Sequence, residues 1–319
     1  MDGDERAPRT ADQLEAVLMD AWFDAASPLG LRGEGGETRA FERRSLAGGR
    51  VRLYASAAIP HSLANRAVGL GSAAPGQVEE LIGAVERFLA SRVGAGLWLD
   101  LPAIRSPRWD AWLASSAALP TGAGRHVLVH RGELAPIARN SLRISRIAPH
   151  EAPRAGALLA RGLGLPSEAA TPFGSLAFAP GWHVFVARDA DRPVAAATLF
   201  VRGDEALLGP VATEPAERRR GAHVALLATL IRAAADLGCR ALFATVPDAG
   251  SGDGAPVLAN LARCGFRLLA TTAGFAVAAP RSATGAPPLR SPRHPRERRR
   301  ESAHVARTEA DDRTIARDR

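Results

Sequence analysis

Three guanidiniums and a glycine stand in one short run, Arg218-Arg219-Arg220-Gly221-Ala222-His223, between an apolar strand-like segment and a helix-like one. The segment Glu205 to Val211 ends in Thr213-Glu214-Pro215, and Val224, Leu227, Leu230, Ile231 and Ala234 then recur at helical spacing. This order predicts that Arg218 to His223 falls on the first turn of a helix. Backbone N–H groups there lack intrahelical partners, and the helix dipole presents its positive end. A diphosphate is the anion such a turn can hold. Gly221 lets it approach the backbone and the arginines add charge-assisted hydrogen bonds. A solvated, arginine-bearing turn is the plain alternative, so the surrounding pattern has to decide.

Upstream lie three strand-like runs, Ser141 to Ile147, His183 to Arg188 and Val194 to Val201. Downstream come Ala241 to Val246 and then Asn260-Leu261-Ala262-Arg263-Cys264-Gly265-Phe266. Strand, Pro, Arg-x-x-Gly-x-Gly/Ala, helix, strand and a closing Gly-Phe resemble the acetyl-CoA signature of the GNAT superfamily of N-acetyltransferases over residues 141 to 280. Arg218 and Gly221 match the marked positions. His223 departs from the pattern, since that place is usually Gly or Ala.

The resemblance implies acetyl-CoA as co-substrate, an amine acceptor that the sequence does not name, and no metal. It places the pantetheine arm on the backbone of Val211 and Thr213, the pyrophosphate on Arg218, Arg219, Arg220, Gly221, Ala222 and His223, and a further cofactor contact on Asn260. The family's usual thiolate acid is a tyrosine, but Leu261 holds that place and the single tyrosine, Tyr54, is far away in sequence. Cys264 is a small packing residue. Glu205 and Asp248 are the carboxylates to test as general base, with water as the alternative proton carrier. His223 beside a helix dipole is expected to stay neutral and line the cofactor, and His183 to be a strand-end side chain. Phe173, Phe178 and Trp182 are either an apolar wall of the acceptor site or core. A non-catalytic acyl-CoA-binding module is the rival reading, favoured by the missing tyrosine.

All 41 basic residues are arginine, which excludes a P-loop lysine or a Schiff-base lysine. Cys239 and Cys264 have no spacing that suggests a metal site or a disulfide framework. No signal peptide or membrane-length apolar run is visible, so a cytoplasmic location is expected. Of the net charge of +8, the segment 281–319 carries five, with 11 arginines against 6 acids. That proline-rich segment has few large apolar residues and is read as disordered. Its arginines offer non-specific nucleic-acid contact, against the simpler reading of a solvated extension.

The first half repeats the pattern. Leu14 to Ala25 reads as a helix starting near Asp12. Arg50 to Ala55, Leu63 to Leu70, Gly96 to Leu101 and His126 to His130 read as strands, with helices at Val78 to Arg92 and Trp109 to Ser116. The expected fold is α/β, two tandem GNAT-like units, each a mixed, mainly antiparallel sheet flanked by helices, making an internal pseudo-dimer. The boundaries are a disordered 1–12, a degenerate N-terminal unit 13–132, a linker from Gly132 to Asn140, an acetyltransferase unit 141–280 and the tail 281–319. In the first unit Gly69 to Pro75 replaces the arginine loop. Pro75 removes an N–H donor there, so no second CoA is expected, and Asn65 and Arg66 are placed either at the cleft between units or in a structural role.

Overall fold

The computed structural model describes residues 3–26, 41–56, 59, 61–72, 74–90, 96–116, 118–121, 124–132, 141–247 and 254–278. Asp248, most of the linker and the segment 281–319 lie outside the described residues. The chain opens with α1 (Gly3–Ala26), β1 (Phe41–Leu46), β2 (Val51–Ser56) and β3 (Arg66–Val68). There follow α2 (Val78–Ala90), β4 (Leu97–Pro102), α3 (Pro107–Ser115), β5 (Leu119–Pro120) and β6 (Arg125–His130). The second half runs β7 (Arg143–Arg146), α4 (Ala152–Gly162), α5 (Ala170–Ser175), β8 (Trp182–Asp189), β9 (Arg192–Arg202) and β10 (Glu205–Thr213). It closes with α6 (Ala222–Asp236), β11 (Ala241–Pro247), α7 (Gly254–Arg263) and β12 (Arg267–Val277).

Each half has the same plan, an antiparallel meander entering one parallel pair joined through a helix. In the first half β2 and β3 are antiparallel and β3 and β4 parallel, with α2 between them. In the second half β9 and β10 are antiparallel and β10 and β11 parallel, with α6 between them. The halves share one sheet in the order β1-β2-β3-β4-β12-β6-β11-β10-β9-β8-β7. The last strand of each half crosses over: β6 pairs antiparallel with β11, β12 pairs antiparallel with β4, and β6 and β12 pair with each other.

Packing follows this exchange. On one sheet face, α1, α4 and α5 bury a core common to both halves, with Leu14, Leu18, Met19, Trp22, Phe173 and Trp182 at its centre. On the other face, α6 and α7 cover the second half through Leu226, Leu227, Leu230 and Leu261. There α2 and α3 cover the first half through Leu81, Val85, Phe88 and Trp112. Leu128 of β6 sits in the second half's core, and Phe275 and Val277 of β12 sit in the first half's.

Three local expectations change. α1 begins at Gly3, so Asp12 lies inside the helix instead of starting it. The run Leu63 to Leu70 yields only the three-residue β3, because the chain turns at 62–64. Strand β1 was not foreseen, since FERRSL carries three charges and no apolar alternation. Among the described residues no helix is long and apolar enough to cross a membrane, and no group of His, Cys, Asp or Glu is arranged to hold a metal.

Candidate functional site

The parallel pair β10 and β11 separates partway along. Residues pair from Glu205↔Ala241 to Leu208↔Ala244 and no further, after which β10 follows β9 and β11 follows β6. A register shift between Leu208 and Val211 marks the bend, at Gly209-Pro210. Glycine and proline inside a strand are the sequence signal for such a bulge. Beyond it, the Glu214 N–H donates to the Val194 carbonyl at 2.9 Å, in register with the pair Ala212↔Ala196. Alternation then turns the N–H and C=O of Val211 and Thr213 away from β9, into the opening. The C-terminal end of α4 lies against this edge: a Cβ on Gly162 would come within 3.2 Å of the Thr213 carbonyl oxygen.

The arginine run lies just past the open edge, and the structure corrects its placement. The helix starts at Ala222, so Arg218 to Gly221 form a loop ahead of it and not its first turn. Two residues in the loop are left-handed, Arg219 with φ 69° and Gly221 with φ 82° at the N-cap. Glycine bears such a φ without strain, which is why Gly221 can tip the chain directly into α6. The arginines have different occupations. Arg218 Nη2 donates to the Gly162 carbonyl at 3.1 Å, and Arg220 is held by Glu217 and Asp189. Hydrogen bonds from Arg192 and Arg220 hold the Glu217 carboxyl below its usual range. Arg219 is exposed beside the α6 N-terminus. Arg154, Arg161 and Arg192 with Glu214 and Glu217 line a recess of about 280 Å³.

His223 and Asn260, paired only through their expected cofactor role, touch each other: Asn260 Nδ2 and His223 Nδ1 are 3.1 Å apart. Arg263, which only donates, reaches Asn260 Oδ1 at 3.4 Å and so turns the amide N–H toward the imidazole. His223 Nδ1 is therefore the acceptor. Burial lowers its pKa to about 4, which keeps the ring neutral with its proton on Nε2. Ala222 is buried at the helix start.

The carboxylate Glu205 sits at the closed end of β10, paired with Arg202 and Ala241. Burial and then Asp204 raise its pKa. Gly209 is four residues further on, roughly 13 Å along a strand, so Glu205 is remote from the opening. Leu261 is packed in the α6–α7 core, and burial raises the thiol pKa of Cys264 beside it. The Tyr54 hydroxyl lies 2.8 Å from both Asp20 Oδ1 and the Ala16 carbonyl oxygen, which share its one proton and pin α1 to β2. His183 is half-buried, its pKa lowered by burial and then by Arg146. Phe173 and Trp182 belong to the shared core and Phe178 is exposed. The indole Nε1 of Trp182 is buried with no partner among the described residues.

The corresponding place in the first half is closed by charge. Arg66 on β3 reaches Asp100 on β4 at 3.0 Å and Glu15 on α1 at 2.8 Å, while Arg125 on β6 binds both Glu15 and Asp100. Burial alone would raise the Glu15 pKa, but Arg125 and Arg66 outweigh it and hold the carboxyl low. Asp12, three residues before Glu15, is pushed up to about 6, by burial first. Asn65 is likewise structural: it accepts from the Ser56 N–H and donates to the Ile59 and His61 carbonyls. Sequence reading missed this cluster because its members come from four separate elements.

Comparison with known proteins agrees with this geometry. Residues 162–266, from the end of α4 to the Gly-Phe after α7, match the acetyltransferase (GNAT) family. No curated protein matches the chain. Among solved structures, a GCN5-related N-acetyltransferase from Kribbella flavida is 16% identical, with 83% of this chain and 95% of that one covered at a TM-score of 0.53. A tandem GNAT protein from the clavulanic acid biosynthesis pathway is also 16% identical, with 88% and 97% covered at a TM-score of 0.49. A GCN5-related N-acetyltransferase from Sphaerobacter thermophilus is 15% identical, with 72% and 81% covered at 0.49. The first of these relates the fold across both halves. The chain therefore contains a GNAT acetyltransferase domain, which spans residues 162–266 and includes the parted strands and the arginine loop.

Proposed function

We propose that the second half binds one acetyl-CoA and transfers its acetyl group to an amine. The observation that carries this reading is the parting of β10 from β11 beyond Leu208, directly ahead of a left-handed glycine at the start of α6. The backbone of Val211 and Thr213 would pair with the pantetheine arm. The free N–H groups at the start of α6, with Arg219, would hold the diphosphate. Arg218, Arg220 and Ala222 shape that loop, and His223 Nε2–H with Asn260 would border the arm. In the reaction a neutral amine attacks the thioester carbonyl carbon. The C–N bond forms, the C–S bond breaks, and the departing thiolate takes a proton while the amine loses one. Proximity of amine and thioester would supply most of the rate in this arrangement. Water carries the proton, because Glu205 is remote from the opening; Asp248 remains a candidate base.

The test is calorimetric titration with acetyl-CoA. Replacing Arg219 with Ala removes a charged hydrogen bond of about 1.5–3 kcal/mol, so affinity should fall between tenfold and a hundredfold or so. Unchanged affinity would remove the diphosphate from this loop. A second reading, an acyl-CoA-binding module without turnover, draws on Leu261, which stands packed in the α6–α7 core at the place of the family's tyrosine acid. Tight binding with no acetyl transfer across a broad panel of amines would favour it.

A further inference from the structure

We infer that helix α1, which belongs to the first half of the chain, sets the acyl-chain length accepted by the second half. The inference rests on the cofactor reading above. From Glu214, beside the diphosphate loop, back to Gly209, where β10 and β11 part, is five residues of strand, or roughly 16 Å. That is the order of an extended pantetheine arm, so the thioester reaches the sheet at Gly209.

The space on the α1 side of that point is already filled. A Cβ placed on Gly209 would lie 2.2 Å from Thr198 Oγ1, 3.2 Å from Trp182 Cζ3 and 3.3 Å from Leu18 Cδ1. All three side chains are buried. Thr198 is fixed by its hydroxyl, which donates to the Pro210 carbonyl at 3.3 Å. The Trp182 ring is backed by Phe200 at a centroid separation of 5.3 Å. Leu18 is backed along its own helix by Leu14 and Trp22, and Trp22 packs on Phe173 of α5 at 5.5 Å. Each of the three side chains thus has a partner behind it, and the wall stands at side-chain contact distance from the strand. A two-carbon acyl group fits against such a surface, whereas each added methylene must displace a close-packed side chain. Of the three, Leu18 is the one contributed by the other half, and it is the residue through which α1 acts on the cofactor site.

The experiment compares the binding of coenzyme A, acetyl-CoA and hexanoyl-CoA to the full chain by calorimetry, so no acceptor has to be known. The wild type should prefer acetyl-CoA over hexanoyl-CoA by at least tenfold. Leu18→Ala should cut that preference by at least fivefold, and Leu18→Val, a smaller trim for use where the alanine variant is not soluble, by at least twofold. Met19→Ala is the control: Met19 is equally buried in the same core but is not among the three side chains nearest to a Cβ on Gly209, so this variant should lose stability and keep the preference. Equal wild-type affinity for acetyl-CoA and hexanoyl-CoA, or a preference that moves as much in Met19→Ala as in Leu18→Ala, would overturn the inference while leaving the cofactor reading intact. Failure of coenzyme A and acetyl-CoA alike to bind the wild type would instead bring down the cofactor reading and the inference with it.

Discussion

Replacing Asp12 with Asn should stabilise the protein at neutral pH and do almost nothing in acid. Asp12 shares its surroundings with two other carboxylates, Glu15 and Asp100, and with two guanidiniums, Arg66 and Arg125, so the fully ionised cluster has one negative charge too many. Its folded pKa of about 6 exceeds the ordinary 3.8, which means that the folded state holds the proton more tightly than the unfolded one. Below pH 3.8 the group is neutral in both states and costs nothing. The cost builds between pH 3.8 and 6 and is constant above. About two pKa units correspond to about 3 kcal/mol. Some of this is recovered when the buried carboxylate relaxes toward Arg125, so a gain of about 1–3 kcal/mol is expected for the amide at pH 7.5. At about 2–3 kcal/mol per molar urea, the midpoint should rise by about 0.3–1.5 M at pH 7.5 and by no more than about 0.3 M at pH 4, just above the unfolded pKa. A lower midpoint for Asp12→Asn at pH 7.5, or the same shift at both pH values, would refute the excess-charge account.

Other expectations follow from the same geometry. Glu15→Gln removes the carboxylate that bonds both Arg66 and Arg125 but leaves Asp12 and Asp100 to balance their charge, so it should cost about 1–3 kcal/mol, the scale of lost charged hydrogen bonds, read as a lowered urea midpoint at pH 7; an unchanged midpoint would mean that the cluster is solvated. Gly221→Val forces a β-branched residue into the left-handed region. It should lower acetyl-CoA affinity at least tenfold, and an unaltered calorimetric isotherm would count against the loop. His223, already neutral through burial, should show the Nε2–H tautomer by nitrogen NMR and should not titrate between pH 5 and 8; a titration near 6.5 would contradict the Asn260 bond. Because Arg66 and Asp100 join β3 to β4, saturation should come at one acetyl-CoA per chain, and two equivalents would mean that the first half opens.

The loop ahead of α6 was legible because its signals are local. Arg218, Gly221 and the helical spacing after them declare a turn into a helix within a dozen residues, and the strands on either side follow from apolar runs. What escaped was non-local. Asp12 looks like a helix start because capping preferences are read over four residues, while α1 had already begun nine positions earlier. Nothing in RHVLVH tells that β6 will pair with β11, since pairing partners leave no mark on a strand's own sequence. Glu205 was a reasonable base on residue type alone. Which end of β10 opens, however, depends on where β11 leaves it, and the clue was Gly209-Pro210, two strand-breaking residues inside an otherwise apolar run.

The exchanged strands also impose an order on synthesis. β4 and β6 are finished by His130, but the strand that must lie between them, β12, begins only at Arg267. At about 5–20 residues per second, a ribosome needs roughly 7–27 s to cover that distance. For that interval the nascent first half presents unpaired edges on β4 and β6, the kind of template on which chains join one another. No separate completion of the first half is available, because the strand that closes it is made almost last. The protein thus reaches its fold late and nearly all at once, and its yield in the cell should depend on translation speed and on holdase chaperones more than its folded stability would suggest.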